Sequence, residues 1–242
     1  MVSKTKVFIF GKSGRMGQEI CSVLSSHSHA ECCGGRTSSG DEGLVSEASV
    51  LIDFSVPQAL SYVLDLAVSQ NKPLVIGTTG LDLDHMDAIK KASEHIPIIQ
   101  ASNTSLGIAV LARISQEVAK VLDETFDIEI TETHHRHKVD APSGTALSLA
   151  EFAAKGRSQS FDRKDVNMDR RGPRSAEIGF SVRRGGGVVG DHTVAFIGQD
   201  EMIELSHRGL SRRLFAQGAV KAALWLIHRP AGNYSMAEVL GI

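Results

Sequence analysis

At 242 residues the chain has room for a sizeable core in one large or two smaller domains. Its apolar share of 42% and charged share of 22% are those of an ordinary globular protein, and a net charge of -2 argues against nucleic acid or an anionic membrane as partner. Three cysteines, two of them adjacent (Cys32, Cys33), make a poor disulfide framework, and no apolar run approaches about 18 residues, so a cytoplasmic protein with no membrane span is expected.

Val7-Phe-Ile-Phe10 reads as a buried parallel strand. The opening Met-Val-Ser-Lys-Thr-Lys leads into an unbroken run of only these four apolar residues before Gly11, too short for the apolar core of a signal peptide. The strand runs into Gly11-Lys-Ser-Gly-Arg-Met-Gly17 and then a helical stretch, Gln18 to Leu24. Strand, glycine-rich turn and helix let a backbone approach a pyrophosphate and seat it on a helix N-terminus. The spacing is G-x-x-G-x-x-G rather than G-x-G-x-x-G, so a turn that binds nothing stays open as an alternative. A P-loop is disfavoured because Gly11-Lys12-Ser13 opens the turn instead of ending it.

The second strand is read over Ala30 to Gly34, followed by Gly35-Arg36-Thr37. A free ribose 2′-hydroxyl usually meets an Asp or Glu at that point. Arg36, with Lys12 in the turn, suits a 2′-phosphate instead and argues for NADPH over NADH; the bland alternative leaves Arg36 as a solvated loop residue. The α/β rhythm then repeats. Val50 to Phe54 reads as a strand, Ser55-Val-Pro-Gln58 as a cap with proline in the first turn of a helix running through Ala67, and Pro73 to Ile76 as a strand ending in Gly77-Thr-Thr-Gly80. Asp82 to Glu94 reads as helix, and Ile96 to Gln100 as a strand ending in Ala101-Ser-Asn-Thr-Ser105. Ligands of open parallel sheets lie beyond the carboxyl ends of the strands, so the small polar loops 77–80 and 101–105 are candidates to line a nicotinamide.

Leu106 to Leu122 reads as a long apolar helix, and Phe126 to Thr133 alternates apolar and polar residues like a half-buried strand. Next comes Glu132-Thr-His-His-Arg-His-Lys-Val-Asp-Ala-Pro-Ser-Gly-Thr145, with three histidines, an arginine, a lysine and two carboxylates. Ser143 stands at the N-cap of a helix through Ala154. Cationic side chains thus leave a strand and meet the anion-attracting end of a helix, a seat for a small substrate with more than one carboxylate, with imidazoles at hand for proton transfer. Two other readings compete: a merely solvated loop, or a metal site. Metal is disfavoured because His134 and His135 point to opposite faces of a strand and no helical His pair or CxxC accompanies them.

Beyond a polar stretch read as a mobile loop, Gly156 to Ser175, the rhythm changes. Strands at Glu177 to Arg184, Val188 to Ile197 and Met202 to His207 follow one another without helices, which suggests an antiparallel or mixed sheet in a second domain. A largely apolar helix, Ser211 to His228, is expected to bury itself against the first domain, and a short capped helix, Ser235 to Leu240, follows.

Six motifs occur together: Gly11-x-x-Gly-Arg-Met-Gly17, Gly77-Thr-Thr-Gly80, Ala101-Ser-Asn103, Glu132-x-His-His-x-x-Lys-x-Asp-Ala-Pro-Ser-Gly-Thr-Ala146, Arg184-Gly-Gly-Gly-Val-Val-Gly-Asp-His-Thr193 and Gly218-Ala-Val-Lys-Ala-Ala-Leu-Trp-Leu226. In this combination, over nearly the whole chain, the sequence resembles the 4-hydroxy-tetrahydrodipicolinate (dihydrodipicolinate) reductase family. The resemblance implies an α/β protein: a Rossmann-like dinucleotide-binding domain, residues 1–105 and 211–242, and an α+β substrate and tetramerisation domain with a mixed sheet, residues 106–210. It implies reduction of 4-hydroxy-tetrahydrodipicolinate, via dihydrodipicolinate, to tetrahydrodipicolinate in diaminopimelate and lysine biosynthesis, by a homotetramer using NADH or NADPH, of which Arg36 and Lys12 favour NADPH.

Matched position by position, the resemblance makes His134 and Lys138 catalytic, with His135, Lys138, Gly144 and Thr145 on the substrate, to which the helix-start reading adds Ser143. It places Gly11, Lys12, Ser13, Gly14, Arg15, Met16, Arg36, Gly77, Thr78, Thr79, Ala101, Ser102, Asn103 and Thr104 on the cofactor. Gly35 stands where the family often has an acidic residue, and Thr104 where it often has an aromatic. Two rivals remain: another two-domain Rossmann oxidoreductase acting on sugars or semialdehydes, and a non-catalytic NADPH-sensing regulator. A short-chain dehydrogenase is disfavoured, because the positions four after Tyr62 and Tyr234 hold Leu66 and Glu238 instead of lysine.

Overall fold

The computed structural model describes residues 4–166, 168, 171–174 and 177–242. The chain divides into two compact units, residues 1–106 with 212–242, and residues 107–211.

In the first unit β1 (Thr5–Phe10) leads through the glycine turn into α1 (Arg15–Ser25). The helix begins three residues before the expected Gln18. Gly14 is its N-cap and Gly17 lies in its first turn, where a Cβ would run into the Gly11 carbonyl oxygen and the Lys12 backbone. Only glycine lets the helix start this close to the turn. Next, β2 (Ala30–Thr37) extends past the expected Gly34, because β3 (Gly40–Glu42) folds back on it with Arg36 opposite Asp41. Arg36 is therefore a strand residue, not a loop residue.

After β4 (Val50–Asp53) the chain makes a 3-10 turn at Pro57–Ala59 before α2 (Leu60–Ser69). The expected cap at Ser55 is not made: its N–H and Oγ both bond Asp53 Oδ1, at 3.0 and 2.5 Å. Then follow β5 (Leu74–Ile76), α3 (Leu83–Ser93) with a capping box between Asp82 and His85, and β6 (Pro97–Gln100).

In the second unit α4 (Leu106–Val121), which starts at the boundary, precedes β7 (Asp127–His134) and α5 (Gly144–Gly156). Of the expected mobile loop, a 3-10 turn at Arg163–Asp165 is described, while residues 167, 169, 170 and 175 lie outside the described residues. The unit continues with β8 (Gly179–Arg184), β9 (Asp191–Ile197) and β10 (Met202–Arg208). The chain then returns to the first unit with α6 (Arg213–Leu226), the unexpected short β11 (Gly232–Tyr234) and α7 (Met236–Leu240).

Among the described residues the first unit's sheet runs β11-β6-β5-β4-β1-β2-β3, parallel except for β3. The central strands are apolar on both faces because both are covered. Phe8, Leu51, Leu74, Ile76 and Ile98 pack with Leu60, Val63 and Ile89 of α2 and α3. α6 packs against α1 and against β4, β5 and β6. Strand order reverses at β1, between β2 and β4, and the crevice at such a switch point is where ligands of open α/β sheets bind. Gly11, with φ +76, occupies that point, and a Cβ there would collide with the Phe54 carbonyl.

The second sheet, β10-β9-β7-β8, is mixed: β7 and β8 are parallel, the other pairs antiparallel. Along β7 alternate residues are buried, so Ile128 and Ile130, which enter the core with α4 and α5, share their face with Glu132 and His134.

Within the first unit, α6 approaches the strand-end loop 101–105 closely. A Cβ on Gly218 would run into the Thr104 carbonyl oxygen. Gly218→Ala is therefore expected to cost about 1–3 kcal/mol by overpacking, read as a lower urea midpoint, while Lys221→Ala on the exposed face of the same helix stays near wild type. Equal midpoints for wild type and Gly218→Ala would contradict this packing.

Candidate active site

Register builds the second unit's site. Glu132 and His134 lie two apart on β7; β8 brings Arg184 opposite His134, and β9 brings His192 opposite Glu132. Glu132 is 1% exposed. Its Oε1 accepts Ser143 N–H at 2.9 Å and Arg184 Nη2–H at 3.0 Å, and its Oε2 pairs with His134 Nδ1. Burial pushes the carboxyl up, but the bonds from His134, Arg184 and Ser143 N–H outweigh it and hold Glu132 down at about 2. The carboxylate is therefore anionic and fixes a proton on His134 Nδ1. His134 Nε2 is left facing Gly190, where a Cβ would approach it to 3.0 Å.

His192 stands edge-on to His134, with ring centroids 5.1 Å apart, and its Nε2 lies 3.3 Å from Ser143 Oγ. Burial, then the neighbouring His134, pushes its value down to about 3, so His192 is a neutral partner. Ser143 caps α5 as expected, accepting Ala146 N–H, and adds the contacts to Glu132 and His192. Its hydroxyl is thus a brace, while Gly144 and Thr145 form the first turn of α5 behind it. His135 leaves the strand half-buried. Lys138 Nζ pairs with Asp140 at 2.8 and 2.9 Å, and Arg184 Nη2 also donates to Asp140 O at 2.7 Å, tying this loop to the sheet.

Glu132, His134 and His192 offer ligand atoms within 4.8 Å of one another. Arg184 already brings positive charge to that carboxylate, and His134 uses its second oxygen, so a metal ion would have to compete with both. Sequence reading gave no role to Glu132, Arg184 or His192. The i, i+2 spacing of Glu132 and His134 on an alternating strand was a usable signal for the first; the other two arrive only through strand register.

In the first unit the remaining candidates gather at the carboxyl edge of the parallel sheet. Ser13, Gly14 and Arg15 are exposed, and Gly14 gives α1 no side-chain cap, which leaves the first-turn amides to an anion. That fits a pyrophosphate, with Lys12 and Met16 flanking. After β5, a Cβ on Gly77 would collide with the Phe54 ring. Thr78 is buried, donating to Asp53 Oδ2 at 2.8 Å, and Thr79 is exposed. After β6, Ala101 and Asn103 are half-buried and Ser102 exposed, with Asn103 Oδ1 accepting Ser105 N–H at 2.9 Å. Thr104 is buried and its Oγ1 donates to Phe215 O at 2.8 Å, so its hydroxyl is committed to α6. Arg36 bonds Asp41 and Tyr62, and Lys12 bonds Glu42.

Residues 5–104 match the family profile described as dihydrodipicolinate reductase, N-terminus, and residues 107–240 the one described as its C-terminus. The chain belongs to the dihydrodipicolinate reductase family. Relatives named 4-hydroxy-tetrahydrodipicolinate reductase include that of Zymomonas mobilis, 44% identical over 99% of this chain and 98% of the relative. The Pseudoalteromonas translucida protein of that name is 40% identical over the full length of both. Among solved structures, a dipicolinate-bound dihydrodipicolinate reductase from Paenisporosarcina sp. TG-14 shares the fold with TM-score 0.75, at 23% identity over 96% of this chain and 98% of that one. No helix among the described residues is long and apolar enough to cross a membrane.

The buried titratable groups of this family member give it a definite acid response. Between the free imidazole's 6.5 and about 3, the unfolded chain binds a proton at His192 that the folded chain refuses, so stability falls as pH drops through that window. Glu132 adds a loss between 4.5 and about 2. In chemical denaturation, His192→Gln should flatten the decline between pH 6.5 and 4.5. An unchanged slope would place that acid sensitivity elsewhere.

Proposed function

We propose that the protein reduces dihydrodipicolinate, the cyclic imine left when 4-hydroxy-tetrahydrodipicolinate loses water, to tetrahydrodipicolinate in diaminopimelate and lysine biosynthesis. The observation that carries this reading is the Glu132–His134 pair beside Lys138 and the α5 N-terminus, in a chain of this family. A bound nicotinamide supplies the hydride. The protein's own groups then have two tasks: to seat a di-acid and to give a proton.

His134 is the proton donor in this reading. Glu132 holds its Nδ1, so Nε2 is the nitrogen that gives the proton. Lys138 and the amides of Gly144 and Thr145 hold the substrate carboxylates, with His135 beside them. Asp140 holds the Lys138 ammonium within this loop until a substrate carboxylate arrives. Arg184 and Ser143 act through Glu132 as positioning residues.

The glycine turn and first-turn amides of α1 seat the pyrophosphate, and the loops 77–79 and 101–104 line the nicotinamide. Arg36 and Lys12 meet a 2′-phosphate, which makes NADPH the preferred cofactor with NADH usable. The protein works in the cytoplasm as a homotetramer.

NADPH oxidation, with substrate made in place from pyruvate and aspartate semialdehyde by a synthase, tests the roles. His134→Gln should cut kcat by about 10²–10⁴-fold, and Lys138→Ala should lower kcat and raise KM, both variants still binding NADPH. Turnover that survives both changes would put the chemistry on other residues. Binding of NADPH by wild type without any oxidation would favour a regulator instead. Separately, Arg36→Ala should raise the KM for NADPH and leave that for NADH near wild type; equal response of the two would remove the basis for the NADPH preference.

A further inference from the structure

Both cations assigned to the 2′-phosphate are already held by carboxylates. Arg36 Nη1 donates to Asp41 Oδ1 and Oδ2 at 3.1 and 3.2 Å and to Tyr62 Oη at 2.8 Å, and its guanidinium carbon stands 4.3 Å from the Tyr62 ring centroid. Lys12 Nζ lies 2.5 Å from Glu42 Oε2. Asp41 and Glu42 come from β3, whose register sets Glu42 opposite Gly35 and Asp41 opposite Arg36. Gly35 itself has no space for an acidic side chain: a Cβ there would lie 2.6–2.7 Å from Cδ and Cβ of Lys12, whose stem lies over it. The negative charge that dinucleotide sites often carry at the end of the second strand is here supplied by the next strand.

We propose that Asp41 and Glu42 are specificity-determining residues: their carboxylates occupy Arg36 and Lys12 in the manner of a 2′-phosphate and so hold down the advantage of NADPH over NADH. This rests on the assignment of Arg36 and Lys12 to the 2′-phosphate. A phosphate entering there must displace both carboxylates or lie beside them at a like-charge cost. A ribose bearing only hydroxyls brings no charge and leaves both ion pairs intact. The carboxylates are exposed, with side-chain accessibilities of 40% for Asp41 and 58% for Glu42, so each opposes the phosphate modestly.

Isothermal titration of the full chain with NADPH and with NADH tests this, using wild type, Asp41→Asn, Glu42→Gln, the double variant, Arg36→Ala, and Arg36→Ala combined with Asp41→Asn. The double variant is expected to bind NADPH about 3–10-fold more tightly, the range that one or two exposed charge pairs supply, with the Kd for NADH moving less than about twofold. Asp41→Asn should have no effect once Arg36 is alanine, and the gain should shrink in high salt. An unchanged or weaker NADPH Kd in the double variant, or an equal gain for NADH, overturns the proposal. If that failure comes with an Arg36→Ala variant that binds NADPH poorly, the 2′-phosphate assignment stands and only the role of the carboxylates is lost. If Arg36→Ala binds NADPH like wild type, the assignment fails and the proposal with it.

Discussion

A carboxylate with 1% exposure cannot stay charged without partners, and the second unit is arranged to give Glu132 three. They come from β7 itself (His134), from β8 (Arg184) and from the N-cap of α5 (Ser143). The sheet register, the helix start and the loop between them are therefore tied to one side chain. Breaking such a buried pair by removing a partner typically costs on the order of 3–5 kcal/mol, because the remaining charge is stranded. The same arrangement has a chemical consequence: a fixed anion on Nδ1 sets the tautomer of His134 and aims its other nitrogen. The groups that hold this part of the fold together also prepare the proton donor.

The first unit depends on close approach instead of charge. Gly11 meets the Phe54 carbonyl, Gly17 the turn backbone, and Gly77 the Phe54 ring. These contacts draw the turn, β4 and the loop after β5 together at the switch point of the sheet, leaving the uncapped amides of α1 at its edge. Charge enters at the rim, where β3 lays Asp41 and Glu42 against Arg36 and Lys12. One unit is thus built to bring backbone near a ligand, the other to hold a proton in place.

What could be read from the residues follows from the range of the forces involved. The β1–turn–α1 unit, the alternation along β7 and the Ser143 cap are local patterns of apolar periodicity and capping, and the structure contains all three. β3 escaped notice because it is three residues long, polar and exposed, held by pairing with β2. The early start of α1 was hidden because Gly14 and Gly17 are poor helix formers on their own, and tertiary contact overrides that propensity. Ser55 has the composition of a cap, but Asp53, two residues earlier and buried, captures its hydroxyl. Arg184 and His192 lie about fifty to sixty residues beyond β7, and no local pattern says that register will deliver them to Glu132 and His134. The family resemblance covered their motif without saying what they do.

The most direct test of the account is the protonation of His134 in the folded protein, read by nitrogen-15 NMR of labelled histidine in wild type and Glu132→Gln. Neutral His134 in wild type is expected to carry its proton on Nδ1, with Nε2 unprotonated, and this preference is expected to be lost in Glu132→Gln while the fold is kept. A proton on Nε2 in neutral wild-type His134, or a tautomer indifferent to the loss of the Glu132 charge, would contradict it.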